Sequence, residues 1–248
     1  MEERYFIEIA YDGTAYHGWQ IQPNAISVQE KLNSCLSTIL REEIHIQGAG
    51  RTDTGVHARQ TFAHFDVKKT LDLDFINRCN SILPADIQLI NYKKVNSSYH
   101  SRFDAVSRTY EYIISTAKDP FYINKAFYFF KDLDLDLMNK ASQLLLLEKD
   151  FTSFSKLHTQ TKTNDCTLSE AIWHKKNHFL IFNIKADRFL RNMVRSIVGT
   201  LIEVGLKKIT IDDFKIIIAS KDRKNAGFSV PACGLYLKSV EYPKTIWQ

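Results

Sequence analysis

The sequence lacks any apolar run approaching the roughly 20 residues of a membrane-spanning helix, so we expect no such span. Its first residues, MEERYFIEIA, include acidic side chains and do not follow the pattern of a secretory signal peptide. Cysteine is scarce, and no CxxC pair is present, which argues against a cysteine-based zinc site and a disulfide framework. We therefore expect reduced thiols in a cytoplasmic protein. The four cysteines are Cys35, Cys79, Cys166 and Cys233.

Several signatures of cofactor chemistry are also missing. There is no P-loop, no GxGxxG fingerprint and no sequence cluster of metal ligands. The sequence predicts no cofactor and no metal site. It also has no low-complexity tract and no linker rich in proline, glycine or serine.

The composition that remains is that of an ordinary globular protein. Of the 248 residues, 44% are hydrophobic and 25% are charged, and a chain of this length buries an adequate core. Lys and Arg number 33 against 28 for Asp and Glu, which gives a net charge of +5. This mild excess of positive charge permits a polyanionic partner without identifying one.

Hydrophobic periodicity in the first half predicts the order β-α-β-β-α-β, which is the ferredoxin-like arrangement. Ser27 and Glu30 have the spacing of a capping box at the start of the first helix. The predicted strands are 5–11, 44–47, 60–67 and 87–93, and the predicted helices begin at Ser27 and cover 74–83.

The second half repeats this order without an obvious sequence repeat. Residues 175–178 form a natural turn, and Gly205 is placed to cap the strongest helix. The predicted strands are 106–114, 170–174, 179–184 and 235–240, and the predicted helices are 135–147, 189–204 and 211–219. We therefore predict an α+β protein of two ferredoxin-like (βαββαβ) units, 1–105 and 106–248. Their mixed, mostly antiparallel sheets are expected to abut at a central cleft, and open sheet faces of this kind suit RNA.

The most informative segment is the loop GAGRTDTGVHA, residues 48–58, between two predicted strands. Its glycines permit backbone conformations that a side chain would forbid. Such a loop can hold the carboxylate of Asp53 at a fixed angle, and a positioned, ionised carboxylate can act as a nucleophile. Alternatively, Asp53 is a turn residue that makes local backbone hydrogen bonds.

Residues 53–55, Asp-Thr-Gly, also match the short signature of aspartic proteases. Those enzymes need two carboxylates that share a proton, but the chain has one such tripeptide and would have to dimerise. The preceding residues also lack the apolar strand that leads into that motif. The protease interpretation is therefore disfavoured, and acid-pH peptide cleavage would reveal it.

The loop resembles the catalytic loop of the TruA family of tRNA pseudouridine synthases, and the resemblance extends in order along nearly the whole chain. The family usually has alanine where this chain has Thr54, and the stretch 155–171 follows the family pattern more loosely. The other matching segments are IAYDGTAYHGWQIQP, SVQEKL, RFDAVSRTYEYII, DFTSF, DRFLRNMVRSIVGTLIEVG and AGFSVPACGLYLKSVEY.

The resemblance implies an isomerase that converts uridine to pseudouridine at positions 38, 39 and/or 40 in the anticodon arm of tRNA. It implies that Asp53 is the nucleophile, that Tyr110 stacks on the target base, and that Arg195 pairs with the aspartate. Arg51 would order the loop or meet the RNA backbone, and Leu235 or Leu237 would supply an apolar contact. The family is cofactor-free and homodimeric, with one tRNA placed across both subunits.

Three arginines suggest further RNA contacts. Arg188, Arg191 and Arg195 are spaced by three and four residues, which predicts one face of a helix. Arg188 and Arg191 would then meet phosphates, or the three would form a solvated basic face. Tyr110 has its own alternative, a core or cross-strand aromatic. For the whole protein, the alternative is a non-catalytic tRNA-binding or RNA-binding protein on the same scaffold.

Overall fold

The computed structural model describes residues 2–156 and 163–248. The chain forms two compact units: the first contains Met1–Val106 and Tyr236–Gln248, and the second contains Ser107–Leu235. The junction lies beside the predicted one between residues 105 and 106. However, residues 236–248, which the sequence placed in the second unit, pack with the first.

The first unit contains the predicted β-α-β-β-α-β order. Strands β4-β1-β3 are neighbours and antiparallel, and β2 adds a short antiparallel pairing to β3. The last strand, β9, pairs in parallel with β3 through His57–Tyr236 and Ala58–Leu237, which explains why the C-terminal segment belongs here. The strands are β1 (Glu3–Tyr11), β2 (Gln47–Gly48), β3 (His57–Val67), β4 (Ile87–Val95) and β9 (Leu235–Glu241).

Two helices complete the first unit, α1 (Val28–Leu40) and α2 (Phe75–Ile82). The predicted capping box of α1 is confirmed: the Glu30 amide donates to Ser27 Oγ at 3.2 Å, and the Ser27 amide donates to Glu30 Oε2 at 3.4 Å. These bonds satisfy two amides that the first helical turn leaves without partners.

The predicted strand 44–47 is largely wrong, because only Gln47 and Gly48 pair as β2. Side chains of α1 bind the backbone that would have formed the rest of the strand. Ser37 Oγ accepts from the Ile44 amide at 2.9 Å, and Asn33 Oδ1 accepts from the Ile46 amide at 3.0 Å. The segment is therefore held along the helix.

The second unit has an antiparallel sheet in the order β5-β8-β7, with β6 parallel to the end of β5. Its strands are β5 (Ser107–Ser115), β6 (Phe127–Tyr128), β7 (Leu168–Lys176) and β8 (Phe179–Ala186), and its helices are α3 (Leu135–Leu144), α4 (Met193–Gly205) and α5 (Ile211–Ala219). The predicted turn between β7 and β8 is present, and Asn177 within it has φ 56°. The predicted α+β class is confirmed.

The predicted helix 189–204 begins later than its periodicity suggested. Asn192 has φ 66°, a left-handed conformation, and α4 starts at the next residue, Met193. The residues before Asn192 are not helical. There the Arg191 carbonyl accepts a hydrogen bond from the distant Lys156 amide at 3.1 Å. The prediction that Gly205 caps the helix is also wrong. Gly205 is the last residue of α4, where a Cβ would lie 2.7 Å from Met138 Sδ of α3.

All four cysteines are free thiols, as predicted, and three of them are buried. Across residues 2–156 and 163–248, no helix combines the length and the apolar character that crossing a bilayer would require. The loosely matching stretch 155–171 includes residues 157–162, which lie outside the described residues.

Candidate active site

The loop 48–58 runs from the end of β2 to the start of β3 in the first unit and carries Asp53. The Asp53 side chain is half-buried, whereas Arg51 and Thr54 are exposed. The loop closes on itself where the Val56 amide donates to the Asp53 carbonyl at 3.2 Å, and Gly55 permits this turn with φ 77°. Asp53 thus does sit at a turn, as the alternative interpretation supposed, but it also sits within a larger set of contacts.

The segment that follows β1 holds this loop through main-chain contacts. The Trp19 amide donates to the Thr52 carbonyl at 3.2 Å, and the Gly55 amide donates to the Tyr16 carbonyl at 3.3 Å. These two bonds lie on either side of Asp53. Gly18 has φ 88°, and a Cβ there would lie 2.4 Å from the Thr52 oxygen. The loop therefore requires glycine at this position.

Buried side chains support the same segment. Trp19 is buried, and a Cβ on Gly48 would lie 2.5 Å from its indole ring, so Trp19 anchors the loop. Tyr11 Oη and Thr52 Oγ1 are 2.8 Å apart. Tyr16 Oη donates to Asp86 at 2.6 Å, and burial, together with that carboxylate, raises the pKa of Tyr16.

The base of the loop next to β2 depends on His64. His64 is buried and accepts from the Ser101 amide at 3.3 Å, while Ser101 Oγ donates to the Gln47 carbonyl at 2.7 Å. Burial is the main cause that lowers the pKa of His64 to about 4, and the charges of His100 and Arg4 add to it. A neutral imidazole thus helps to fix the strand from which the loop departs.

At the other end of the loop, His57 begins β3. Its ring stacks on Tyr236 with 4.6 Å between centroids, and the Arg59 guanidinium lies 4.7 Å from the Tyr236 ring centroid. The Gly13 amide donates to His57 Nδ1 at 3.0 Å, and a Cβ on Gly13 would lie 2.0 Å from the Val56 oxygen. Among the described residues, no group of three or more potential ligands could hold a metal ion.

Leu237 and Leu235, the predicted apolar contacts, are both buried. Leu237 of β9 pairs with Ala58, five residues after Asp53, so the structure brings it beside the start of β3. Leu235 is the last residue of the second unit. The first unit therefore contains Asp53, Arg51 and Leu237 of the predicted site residues.

The second unit contains Tyr110, Arg195, Arg188 and Arg191 as well as Leu235. Tyr110 on β5 is half-buried and meets Phe189 edge-to-face with 5.0 Å between centroids. Tyr112, two residues along the same strand, is fully buried and donates to the Pro231 carbonyl at 2.8 Å. Both interpretations of Tyr110, a stacking residue and a packing aromatic, therefore stay open, whereas Tyr112 belongs to the core.

Arg195 lies in the first turn of α4, and the segment 227–231 holds it in place. Its Nε donates to the Val230 carbonyl at 2.7 Å, and the Val230 amide donates to the Arg195 carbonyl at 3.3 Å. Asn192 donates to Ser229 Oγ at 2.6 Å, and Arg223 donates to the same oxygen at 2.9 Å. Close approach of this segment to α4 needs Gly199, where a Cβ would meet the Phe228 oxygen at 1.7 Å.

The prediction that three arginines share a helix face is wrong. Arg188 and Arg191 precede α4, and only Arg195 belongs to it. The Asp187 carboxylate accepts from the Thr167 and Arg188 amides at 2.8 and 2.7 Å, which keeps this stretch out of the helix. Periodicity alone could not show this, because the apolar residues continue through the break.

Sequence reasoning missed the residues that position the site rather than take part in it. Gly13, Gly18 and His57 hold the Asp53 loop, and Asn192 and Ser229 support Arg195. A signal for the first group was available, since Gly13 and Gly18 both occur in the short segment IAYDGTAYHGW. No local pattern marked the second group, whose members are 37 residues apart.

Comparison with known proteins gives consistent results. The sequence profile of a family described as tRNA pseudouridine synthase matches residues 141–243. A tRNA pseudouridine synthase A from Bacteroides thetaiotaomicron is 50% identical over 249 residues, covering 99% of this chain and 93% of that protein. The Bacteroides fragilis protein of that name is 50% identical, covering 99% of both chains. One from Francisella tularensis subsp. holarctica is 38% identical, covering 98% of this chain and 95% of that protein.

Proposed function

Since this chain belongs to the tRNA pseudouridine synthase A family, we propose that it converts uridine to pseudouridine at positions 38, 39 and/or 40 of the tRNA anticodon stem-loop. As a member of this family, the chain is an isomerase. The observation that carries the finer proposal is the Asp53 loop, in which main-chain bonds to Trp19 and Tyr16 flank a half-buried carboxylate.

The chemistry needs few participants. The N1–C1′ bond breaks, a C5–C1′ bond forms, C5 loses its proton and N1 gains one, so there is no net redox change. We propose Asp53 as the nucleophile, and its attack at C6, its attack at C1′ and a glycal route stay open alternatives. A carboxylate held by a rigid loop suits this role, because positioning accounts for much of the rate of such reactions.

The other residues have separate proposed roles. Tyr110 stacks on the flipped uridine, which offsets part of the few kcal/mol that base extrusion costs. Arg195 pairs with Asp53, and its fixed Nε supports a role that depends on geometry. Arg188 and Arg191 contact RNA phosphates, which would make binding salt-sensitive, and Arg51 orders the loop or contacts the RNA backbone. Leu235 or Leu237 provides the apolar contact.

Two further parts of the proposal concern the assembly. We propose that the protein acts in the cytoplasm as a homodimer that binds one tRNA across both subunits, as the family resemblance implies. The cleft expected where the two sheets abut also stays a prediction. Light scattering of the purified protein, alone and with tRNA, measures the oligomeric state and the stoichiometry directly.

The decisive experiment is tritium release from a tRNA transcript that contains 5-tritiated uridine. We expect release with the wild type and a loss of at least about a thousandfold with Asp53→Ala, because covalent catalysis is removed while the scaffold remains. Asp132→Ala is the matched control, since Asp132 is exposed in the second unit and should leave turnover unchanged.

Wild-type turnover by Asp53→Ala would contradict the assigned nucleophile. Absence of release from both proteins, together with tight and salt-sensitive tRNA binding by both, would favour the non-catalytic alternative. If release occurs, transcripts that keep uridine at only one of positions 38, 39 and 40 identify the modified site.

A further inference from the structure

A cavity of about 420 Å³ lies within the first unit, apart from the Asp53 loop. Strands β1, β3 and β4 form it together with the C-terminal segment that contains Tyr242 and Trp247. Its volume is in the lower part of the range of small-molecule sites, about 300–1,000 Å³. It is therefore large enough for a long side chain or a small ligand.

Three neighbouring aromatic rings form part of the lining of this cavity. The centroid of the Phe62 ring is 5.2 Å from that of Tyr242 and 5.7 Å from that of Trp247, and those of Tyr242 and Trp247 are 5.6 Å apart. The faces of such rings attract cations and stack on planar groups. The three aromatic rings of the lining thus favour a flat, positively charged ligand.

The side chain of Glu8 also lines the cavity, and a hydrogen bond holds its carboxylate in place. Gln60 Nε2 donates to Glu8 Oε1 at 2.6 Å, and the Val240 amide donates to Gln60 Oε1 at 3.3 Å, which fixes the amide orientation. Within residues 2–156 and 163–248, Glu8 Oε2 has no hydrogen-bond partner. Asn91 is the register partner of Glu8 on β4 and also lines the cavity.

Glu8 also supplies negative charge to the lining. Lys93 lines the cavity too, but its Nζ donates to the Trp247 carbonyl. A carboxylate with an available oxygen disfavours phosphate and favours a cation.

We propose that this cavity binds a guanidinium group, presented as an arginine side chain. A guanidinium is planar, so it stacks on aromatic faces, and its forked N–H donors match a carboxylate with an available oxygen. An ammonium has the charge but not the plane, and a nucleobase has the plane but not the charge. The inference does not depend on the isomerase activity, because its readout is binding to the first unit.

The test follows the indole signals of ¹⁵N-labelled full-length protein during titration with Nα-acetyl-arginine amide. Trp247 is half-buried in the cavity, while Trp19 and Trp173 are buried elsewhere, and a Trp247→Phe variant assigns the signal. We expect only the Trp247 signal to shift. Glu8→Gln should weaken binding at least about tenfold, since it removes a charge-assisted hydrogen bond. Glu43→Gln, at an exposed site, should leave it unchanged.

Several outcomes would overturn the proposal. Equal binding of the lysine analogue would remove the guanidinium assignment, and binding of guanosine in place of the arginine probe would indicate a nucleobase site. Unchanged affinity in Glu8→Gln, or no shift of Trp247 at all, would exclude the site. If Glu8→Gln does not fold, calorimetry with Trp247→Leu replaces it, and wild-type affinity in that variant would be equally negative.

Discussion

The segment around Asp53 and the segment around Arg195 hold their charged residues in different ways. The Asp53 loop is flanked by bonds between main-chain groups, and glycines at 13 and 18 let the backbones meet. Arg195 is held by its own Nε, and side-chain bonds of Asn192 and Arg223 to Ser229 support the acceptor segment. The side chain of aspartate is short, so the position of its carboxylate depends strongly on the backbone that carries it. A long guanidinium side chain can be fixed near its end.

This difference predicts that the Asp53 region is most sensitive to added volume. Gly18→Ala should lower the free energy of unfolding by about 3 kcal/mol, since it combines overpacking with a left-handed conformation. It should also reduce turnover about 100-fold by displacing Asp53. Urea unfolding and tritium release measure the two effects.

Gly50→Ala is the matched control in the same loop, because a Cβ there meets nothing within 4 Å. We expect its stability to stay within about 0.5 kcal/mol of the wild type. Normal turnover by Gly18→Ala would show that main-chain packing at this position does not place Asp53.

We expect acid to destabilise the Asp53 region more than the Arg195 region, because His64 supports the Asp53 loop. The folded protein keeps its imidazole neutral down to about pH 4, whereas the unfolded chain binds a proton below about pH 6.5. The preference of the folded protein for neutral His64 therefore contributes fully to stability above pH 6.5. About 3 kcal/mol of unfolding free energy is lost as the pH falls to 4. Protection factors of amides near Gln47, which remove the pH dependence of intrinsic exchange, should be lower at pH 5 than at pH 7.

His64→Gln is the reference variant, because the glutamine side chain does not titrate. We expect the difference in unfolding free energy between wild type and variant to change between pH 6.5 and pH 4. Amide exchange around Arg195 should not depend on the protonation of His64. A pH-independent difference would show that His64 does not couple the loop to acid.

The Arg195 region should respond to the loss of side-chain hydrogen bonds. Asn192→Ala removes bonds to Ser229 and Ser196 and should cost about 1–2 kcal/mol, with a fall in kcat/KM of about tenfold. Amide exchange in the Asp53 loop should not change. Kinetics with the tRNA transcript and hydrogen exchange provide the measurements.

Asn192→Gly separates hydrogen bonding from backbone strain, since glycine adopts the φ of 66° without cost. Equal losses in the two variants would identify the hydrogen bonds as the cause. Wild-type kcat/KM in Asn192→Gly would instead show that the backbone conformation alone positions this segment.

Local patterns predicted much of the fold. The capping box at Ser27, the helix 211–219 and the turn at Asn177 depend on residues close in sequence, and the structure confirms them. The errors occurred where distant groups competed for the backbone. The side chains of Asn33 and Ser37 accept hydrogen bonds from amides of the expected strand at 44–46. The Lys156 amide donates to the Arg191 carbonyl, within the expected helix.

The candidate site shows the same division. The sequence by itself determined the family, the α+β class and the loop that carries Asp53, because residue types and short spacings encode them. Only the tertiary structure decided that Trp19 and Tyr16 hold that loop, that β9 joins β3, and that Arg195 alone of the three arginines lies on α4. Those outcomes depend on which distant donors and acceptors satisfy each buried backbone group, and local periodicity contains no information about such pairings.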